Sequence, residues 1–192
     1  MTSDVRIRLV EDTDWTALAA LEERAYAGLG LSEGEAALRS RARVSPDTCT
    51  VLDRDGHLVG YLLALPYPPF HSPDLAHAEP TSTATPTRNL HLHDLVVAPE
   101  HRGAGLARRL LRHLTATARA AGYEQISLVA VAGSAAFWAG HGFRPHPEVP
   151  LPDSYGPDAR YMSAPVPTGR RAPAPGPPRT PRPGAPVTDE VG

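Results

Sequence analysis

Two short constellations in mid-chain carry the side chains best suited to chemistry: His91-Leu-His93-Asp94, and, shortly after, Arg102-Gly103-Ala104-Gly105. Histidine titrates near pH 6.5, so His91 and His93 are candidates to take a proton at neutral pH. Spaced by two on an extended chain, they share a face, and Asp94 could orient an imidazole or receive a cation. His-x-His also fits metal-ligand spacing, but no third ligand is fixed nearby. The second constellation suits an anion. A small-residue turn running into a helix aims unpaired backbone N–H groups at one spot, with the positive end of the helix dipole behind them. Gly105 lets the backbone approach closely, and Arg102 can add a charge-assisted contact.

Two familiar nucleotide sites are poor fits. A dinucleotide fingerprint would need a third glycine, and the run reads Gly103-Ala-Gly105-Leu-Ala-Arg108. A phosphate-binding P-loop needs Gly-Lys-Ser/Thr, and the chain contains no lysine.

The flanking pattern supplies elements to position these residues. Leu90, Leu92, Val96 and Val97 predict a strand over 88–97 that Pro99 closes, and Leu106, Leu110, Leu114 and Ala118 predict a helix over 104–121. Gly122 ends that helix, and a strand over 124–131 follows. Upstream, residues 5–10 alternate as a half-buried strand, and Asp12 and Thr13 can cap a helix running to about Tyr26. A second helix spans about 32–43, capped by Ser32 with Glu35 three residues later. Strands over 48–52 and 58–65 meet at Asp55-Gly56, a hairpin signal. Residues 66–87 read as a surface loop. A helix over 134–141 and strands over 143–146 and 160–165 complete the reading.

Composition bounds the function. About 165 residues suffice for one hydrophobic core. Beyond them, residues 164–192 hold nine prolines and few large apolar side chains, which predicts a disordered tail from 166 to 192. Pro177-Pro178 could serve as a polyproline ligand. A net charge of -2 and thinly spread tail arginines argue against nucleic-acid and membrane-surface partners. No apolar run reaches the length of a membrane span and no leader is recognisable, so a cytoplasmic protein is expected. The single cysteine, Cys49, cannot pair internally and fits a reducing compartment. It is read as a buried thiol rather than a nucleophile.

Residues 97–107, Val-Ala-Pro-Glu-His-Arg-Gly-Ala-Gly-Leu-Ala, resemble the coenzyme-binding segment of the GNAT superfamily of acetyl-CoA-dependent N-acetyltransferases. Residues 133–143, closing with Phe137-Trp138 and Gly142-Phe143, resemble that family's second signature, and the likeness covers about residues 4–165. The resemblance implies an α/β (α+β) fold with a mixed, mostly antiparallel central sheet flanked by about four helices, within a 1–165 domain. It implies acetyl-CoA as co-substrate, no metal, and direct transfer to a small-molecule or protein amine, by a monomer or homodimer. Leu95, Val96 and Val97 match the strand end that holds the pantetheine arm. Arg102, Gly103, Ala104, Gly105, Leu106, Ala107 and Arg108 match the pyrophosphate turn, and His91 falls where several members carry a base.

The chain departs from the family at two positions. Trp138 stands where many members place the tyrosine that protonates the departing thiolate, so Tyr155, Tyr161 or water must serve. Val131 replaces a frequent asparagine, with Ser134 left to supply hydrogen bonding. Two other readings stay open: a catalytically silent acyl-CoA-binding module, and a protein that recruits partners through its proline-rich tail.

Overall fold

Seven strands form one sheet, in the order β1-β2-β3-β4-β5-β7-β6, in a computed structural model that describes residues 4–79 and 86–168. The strands are β1 (Val5–Leu9), β2 (Thr50–Arg54), β3 (His57–Pro66), β4 (Asn89–Val97), β5 (Gln125–Ala130), β6 (Arg144–Pro145) and β7 (Arg160–Pro165). Helices α1 (Trp15–Tyr26) and α2 (Glu35–Val44) cover one face. Helices α3 (Leu106–Ala120) and α4 (Ala135–Ala139) cover the other. Every pairing is antiparallel except β4 with β5. This is the expected mixed, mostly antiparallel sheet with four helices.

Two apolar cores result, one per face. Leu110, Leu114 and Ala118 of α3 pack on Leu90, Leu92 and Ile126, and Leu18, Leu21 and Leu38 pack on Val51, Tyr61 and Leu63. The β2–β3 hairpin turns at Asp55 and Gly56, both at positive φ (54° and 81°), as a two-residue primed turn requires. Close sheet packing demands glycine at Gly60, where a Cβ would come within 2.8 Å of the Val96 carbonyl oxygen.

Several boundaries differ from expectation. Ser32 does not cap α2: its hydroxyl donates to Glu22 Oε2 at 2.6 Å, and Gly34 at φ 78° delays the helix to Glu35. Helix α3 starts at Leu106 rather than 104, because Gly103 and Gly105 sit at φ 80° and 74° in the left-handed region. Helix α4 is shorter than the expected 134–141. The C-terminal strand is docked past 165, since the Val166 amide donates to the Glu124 carbonyl at 2.8 Å and its side chain is buried. The centre of the 66–87 loop and the tail from 169 onward lie outside the described residues. Among the described residues no helix is long and apolar enough to cross a membrane.

Two irregularities in β4 shape the middle of the molecule. Pairing with β5 covers only residues 89–92, after which β5 pairs with β7 alone and the two parallel strands part. Against β3, Leu63 faces Asp94 while Ala64 faces Leu92, so His93 is an extra residue. That bulge breaks the two-residue alternation. His91 and His93 lie on the α1/α2 face as their spacing predicts, and Asp94 joins them there instead of pointing to the opposite face, with Val96 following it into the α1/α2 core.

Candidate active site

A cleft of about 620 Å³ opens where β4 and β5 part, over the N-terminus of α3. Of the residues expected to hold a coenzyme, Leu95, Val96, Val97, Arg102, Gly103, Gly105, Leu106, Ala107 and Arg108 line it, and Ala104 and Ser134 do not. The first amide of this junction to find a main-chain carbonyl is Arg109, donating to Gly105 at 3.0 Å. The amides of residues 103–108 donate to no main-chain carbonyl among the described residues, so they stand free for an anion. Arg102 is held against this turn by a 3.3 Å hydrogen bond from Nε to the Val97 carbonyl.

Three further lining residues were not among the candidate site residues read from the sequence. Tyr26 comes from the end of α1, and Phe137 and His141 come from α4 and the turn after it. His141 donates from Nδ1 to the Phe137 carbonyl at 2.8 Å, and their rings lie 4.4 Å apart. Trp138 points the other way, into the core against Phe143. The aromatic side chain that α4 presents to the cleft is therefore Phe137.

On the α1/α2 side of the parted strands lies a small inner pocket of about 40 Å³, which shares Tyr26 with the cleft. Glu22, Glu33, His93 and Asp94 line it together with Leu31, Leu75 and Tyr155. The His93 side chain is only 1% exposed. Its Nε2 donates to Glu33 Oε1, which fixes the proton there and leaves Nδ1 as an acceptor when the ring is neutral. That Nδ1 is buried and has no hydrogen-bond partner.

Glu33 is held in turn by Arg41, which is fully buried and donates from Nε at 2.9 Å. Burial works to raise the Glu33 carboxyl, but the His93 hydrogen bond and charge and then Arg41 outweigh it, leaving it below the usual range. Arg41 also donates to Glu79 and to the Asp74 carbonyl, both at 2.9 Å, and so clasps the loop that carries Leu75 over the pocket. Asp94 accepts hydrogen bonds from the Tyr26 and Tyr61 hydroxyls. Burial is the largest influence on its carboxyl and lifts it to about 6 against those two bonds.

His91 does not reach either cavity. It is buried beside Ser127, with Nδ1 3.0 Å from the hydroxyl, and its ring stacks against Tyr161. Burial first, then the charges of His93 and Arg41, hold it neutral, well below its usual range. The Tyr155 hydroxyl lies at the inner pocket and donates to the Pro73 carbonyl at 2.8 Å; the Tyr161 hydroxyl accepts from the Phe70 amide at 2.9 Å. Cys49 is buried, with its thiol pushed up to about 12 by burial. Among the described residues no group of three or more His, Cys, Asp or Glu is arranged to hold a metal ion.

The acetyltransferase (GNAT) family model matches residues 15–143, which spans the parted strands, the glycine turn and both signatures. The chain belongs to the GNAT family. A search of curated proteins found no match. Solved structures share the fold. Ard1 from Thermoplasma volcanium is 16% identical with a TM-score of 0.65, covering 84% of this chain and 97% of its own. The Escherichia coli ribosomal-protein-S18-alanine N-acetyltransferase is 20% identical with a TM-score of 0.61, covering 88% and 98%. The PaiA N-acetyltransferase from Thermoplasma acidophilum, solved in complex with coenzyme A, is 15% identical with a TM-score of 0.61, covering 84% and 99%.

Proposed function

We propose that this GNAT protein transfers an acetyl group from acetyl-CoA to a primary amine, by direct attack within a ternary complex. One observation carries the reading: His93, whose buried Nδ1 has no hydrogen-bond partner, lines a pocket that shares Tyr26 with the coenzyme cleft. The free amides of residues 103–108 and the guanidiniums of Arg102 and Arg108 suit a diphosphate. Past Leu92 the β5-facing edge of β4 has no strand partner, so its main-chain groups are available to a pantetheine amide and to the thioester carbonyl.

An alkylamine with pKa near 10.4 is almost wholly protonated at neutral pH, and freeing its lone pair costs roughly 4–5 kcal/mol. His93 lowers that barrier by taking the proton at Nδ1, while Glu33, pinned by Arg41, holds the ring and stabilises the imidazolium. Asp94 receives the incoming ammonium. The amine nitrogen then bonds to the carbonyl carbon, the C–S bond breaks, and the second proton that this nitrogen loses passes through water in the open cleft to the departing thiolate. With a pKa about 8.5 a thiolate leaves without a dedicated acid. His91 has no step, being outside both cavities.

A second reading, the silent coenzyme-binding module, draws on the inward-facing Trp138 and the protonless Phe137 in the cleft. Incubation of a metabolite extract with the protein and isotope-labelled acetyl-CoA, followed by mass spectrometry, separates the two. Label appearing on an amine supports transfer. Saturable coenzyme binding without thiol release for any amine favours the module.

A further inference from the structure

The inner pocket is too small for a whole acceptor. A single water needs roughly 10–15 Å³, so about 40 Å³ holds the reacting head group and none of the body attached to it. A wall has to move before an acceptor nitrogen can reach His93 Nδ1. Tyr26, His93, Asp94 and Val129 belong to α1, β4 and β5, whose side chains build the two apolar cores. Leu31 and Glu33 lie in a connection that Glu22 clamps, accepting from the Ser32 hydroxyl at 2.6 Å and the Glu33 amide at 2.8 Å. Leu75 and Tyr155 are the walls without such support.

Both depend on one strap, residues 73–79. Neither apolar core includes a side chain from residues 67–79, so polar contacts hold the strap down. The Tyr155 hydroxyl donates to the Pro73 carbonyl at 2.8 Å. Ser154 Oγ donates to Asp74 Oδ1 at 2.7 Å and accepts from the Leu75 amide at 3.3 Å. Ser40 Oγ accepts from the Glu79 amide at 2.9 Å. Upstream, Phe70 sits at φ 62°, a left-handed conformation that a bulky side chain rarely adopts, so rotation there relieves strain as the strap lifts. Lifting the strap also frees Tyr155, which lines both the inner pocket and an outer groove of about 440 Å³. The pocket then opens into that groove.

Arg41 joins the strap to the base. Its side chain is fully buried, and its donors divide between two sides. Nε and Nη2 hold Glu33, the carboxylate that fixes His93 Nε2. On the strap side, Nη1 holds Glu79 at 2.9 Å, and Nη2 reaches the Asp74 and His77 carbonyls at 2.9 and 3.2 Å. Those three acceptors leave together when the strap lifts. A buried guanidinium stripped of partners is costly, so Arg41 turns toward its remaining carboxylate or toward water. Either movement shifts Glu33, and the imidazole with it.

Building on the acetyl-transfer reading, we infer that the strap is the wall an acceptor displaces, and that Arg41 is a positioning residue that sets His93 only while the strap is docked. The base is then in place once the acceptor is enclosed, and not before.

The full chain is treated with diethyl pyrocarbonate, which acylates neutral imidazole nitrogens within its reach, and each histidine is mapped by tandem mass spectrometry. Ser154→Ala removes two strap contacts and touches neither Arg41 nor Glu33. In this variant His93 should be modified about fivefold faster or more, the effect of a lost hydrogen bond on opening, with faster amide exchange over residues 70–79 and His91 still protected. Tyr155→Phe, which drops the Pro73 contact, should act the same way more weakly. Faster strap exchange with an unchanged His93 rate overturns the displaced wall, and so do equal gains at His91 and His93, which would mark global loosening. The coupling is read by nitrogen-15 resonances of labelled histidine. In wild type His93 should show one protonated and one acceptor nitrogen; in Arg41→Lys and in Glu79→Ala the pair should move toward an average. Glu79 lies outside hydrogen-bond reach of His93, so unmoved signals in Glu79→Ala overturn the coupling. None of these measurements uses an acceptor. A strap that behaves as described in a protein that acetylates no amine sinks acetyl transfer and leaves the strap standing.

Discussion

The coenzyme cleft and the inner pocket share Tyr26 as a wall yet are built from opposite materials. The cleft is basic and largely backbone: free amides of residues 103–108, two left-handed glycines and an unpaired strand edge. The inner pocket is acidic and made of side chains from distant segments: Glu22 from α1, Glu33 from a connection, His93 and Asp94 from a bulged strand, and Tyr155 from near the C-terminus. A backbone site of this kind suits the constant part of a coenzyme, which is the role the proposed function gives it. A side-chain site can be retuned by single substitutions, so acceptor choice belongs to the second region.

The sharpest way to break this contrast is Gly105→Glu. The residue sits at φ 74°, with open space where a Cβ would go, so the new carboxylate enters the anion site. Like charges placed together cost several kcal/mol, so coenzyme affinity should fall by about 10³-fold or more in a calorimetric titration, with circular dichroism unchanged. Unaltered affinity would remove the cleft from the account. His93→Ala probes the other region. Thiol release should fall by about 10²-fold or more while coenzyme affinity stays within a factor of about two, the mark of a lost general base. A parallel loss of coenzyme binding would show that the two regions are not separable.

Asp94→Asn tests the electrostatics of the acidic side through stability. The folded-state value of about 6 lies above the unfolded one near 3.8, so the folded chain binds more protons between them. Stability from this group is complete below about pH 4 and is lost as pH rises through 6, at a cost on the order of 2–3 kcal/mol by neutrality. The Asn variant should therefore resist urea better than wild type at pH 7.5 and no better at pH 4. Equal midpoints at pH 7.5 would contradict a desolvated carboxylate. The smallest expected effect concerns the leaving group. Phe137→Tyr puts a phenol in the cleft and should raise turnover several-fold, whereas Trp138→Tyr should not, because that side chain packs against Phe143. The reverse order would mean that α4 presents its other face during the reaction.

The difference in materials also explains what could be read from the chain. Gly103 and Gly105 between a strand and a helix are a local pattern, and the turn they form lines the cleft apart from Ala104; Ser134 also falls outside the lining. The hairpin at Asp55-Gly56 and the α3 stripe were equally local. His93 and Asp94 were visible as chemistry, but the bulge that turns Asp94 to the same face has no local signature. Glu33 and Tyr26 drew no notice because their roles depend on contacts 60 and 68 residues away. Ser32 was misread as a cap since a serine before a helix usually is one, and here the Glu22 carboxylate competes for its hydroxyl.

The most direct test of the whole account is a crystal structure with acetyl-CoA bound. The account predicts diphosphate oxygens within about 3 Å of the amides of residues 103–108, and a thioester beside Tyr26 with its carbonyl carbon open to the His93 side. Diphosphate bound elsewhere, or a thioester walled off from the inner pocket, would contradict it.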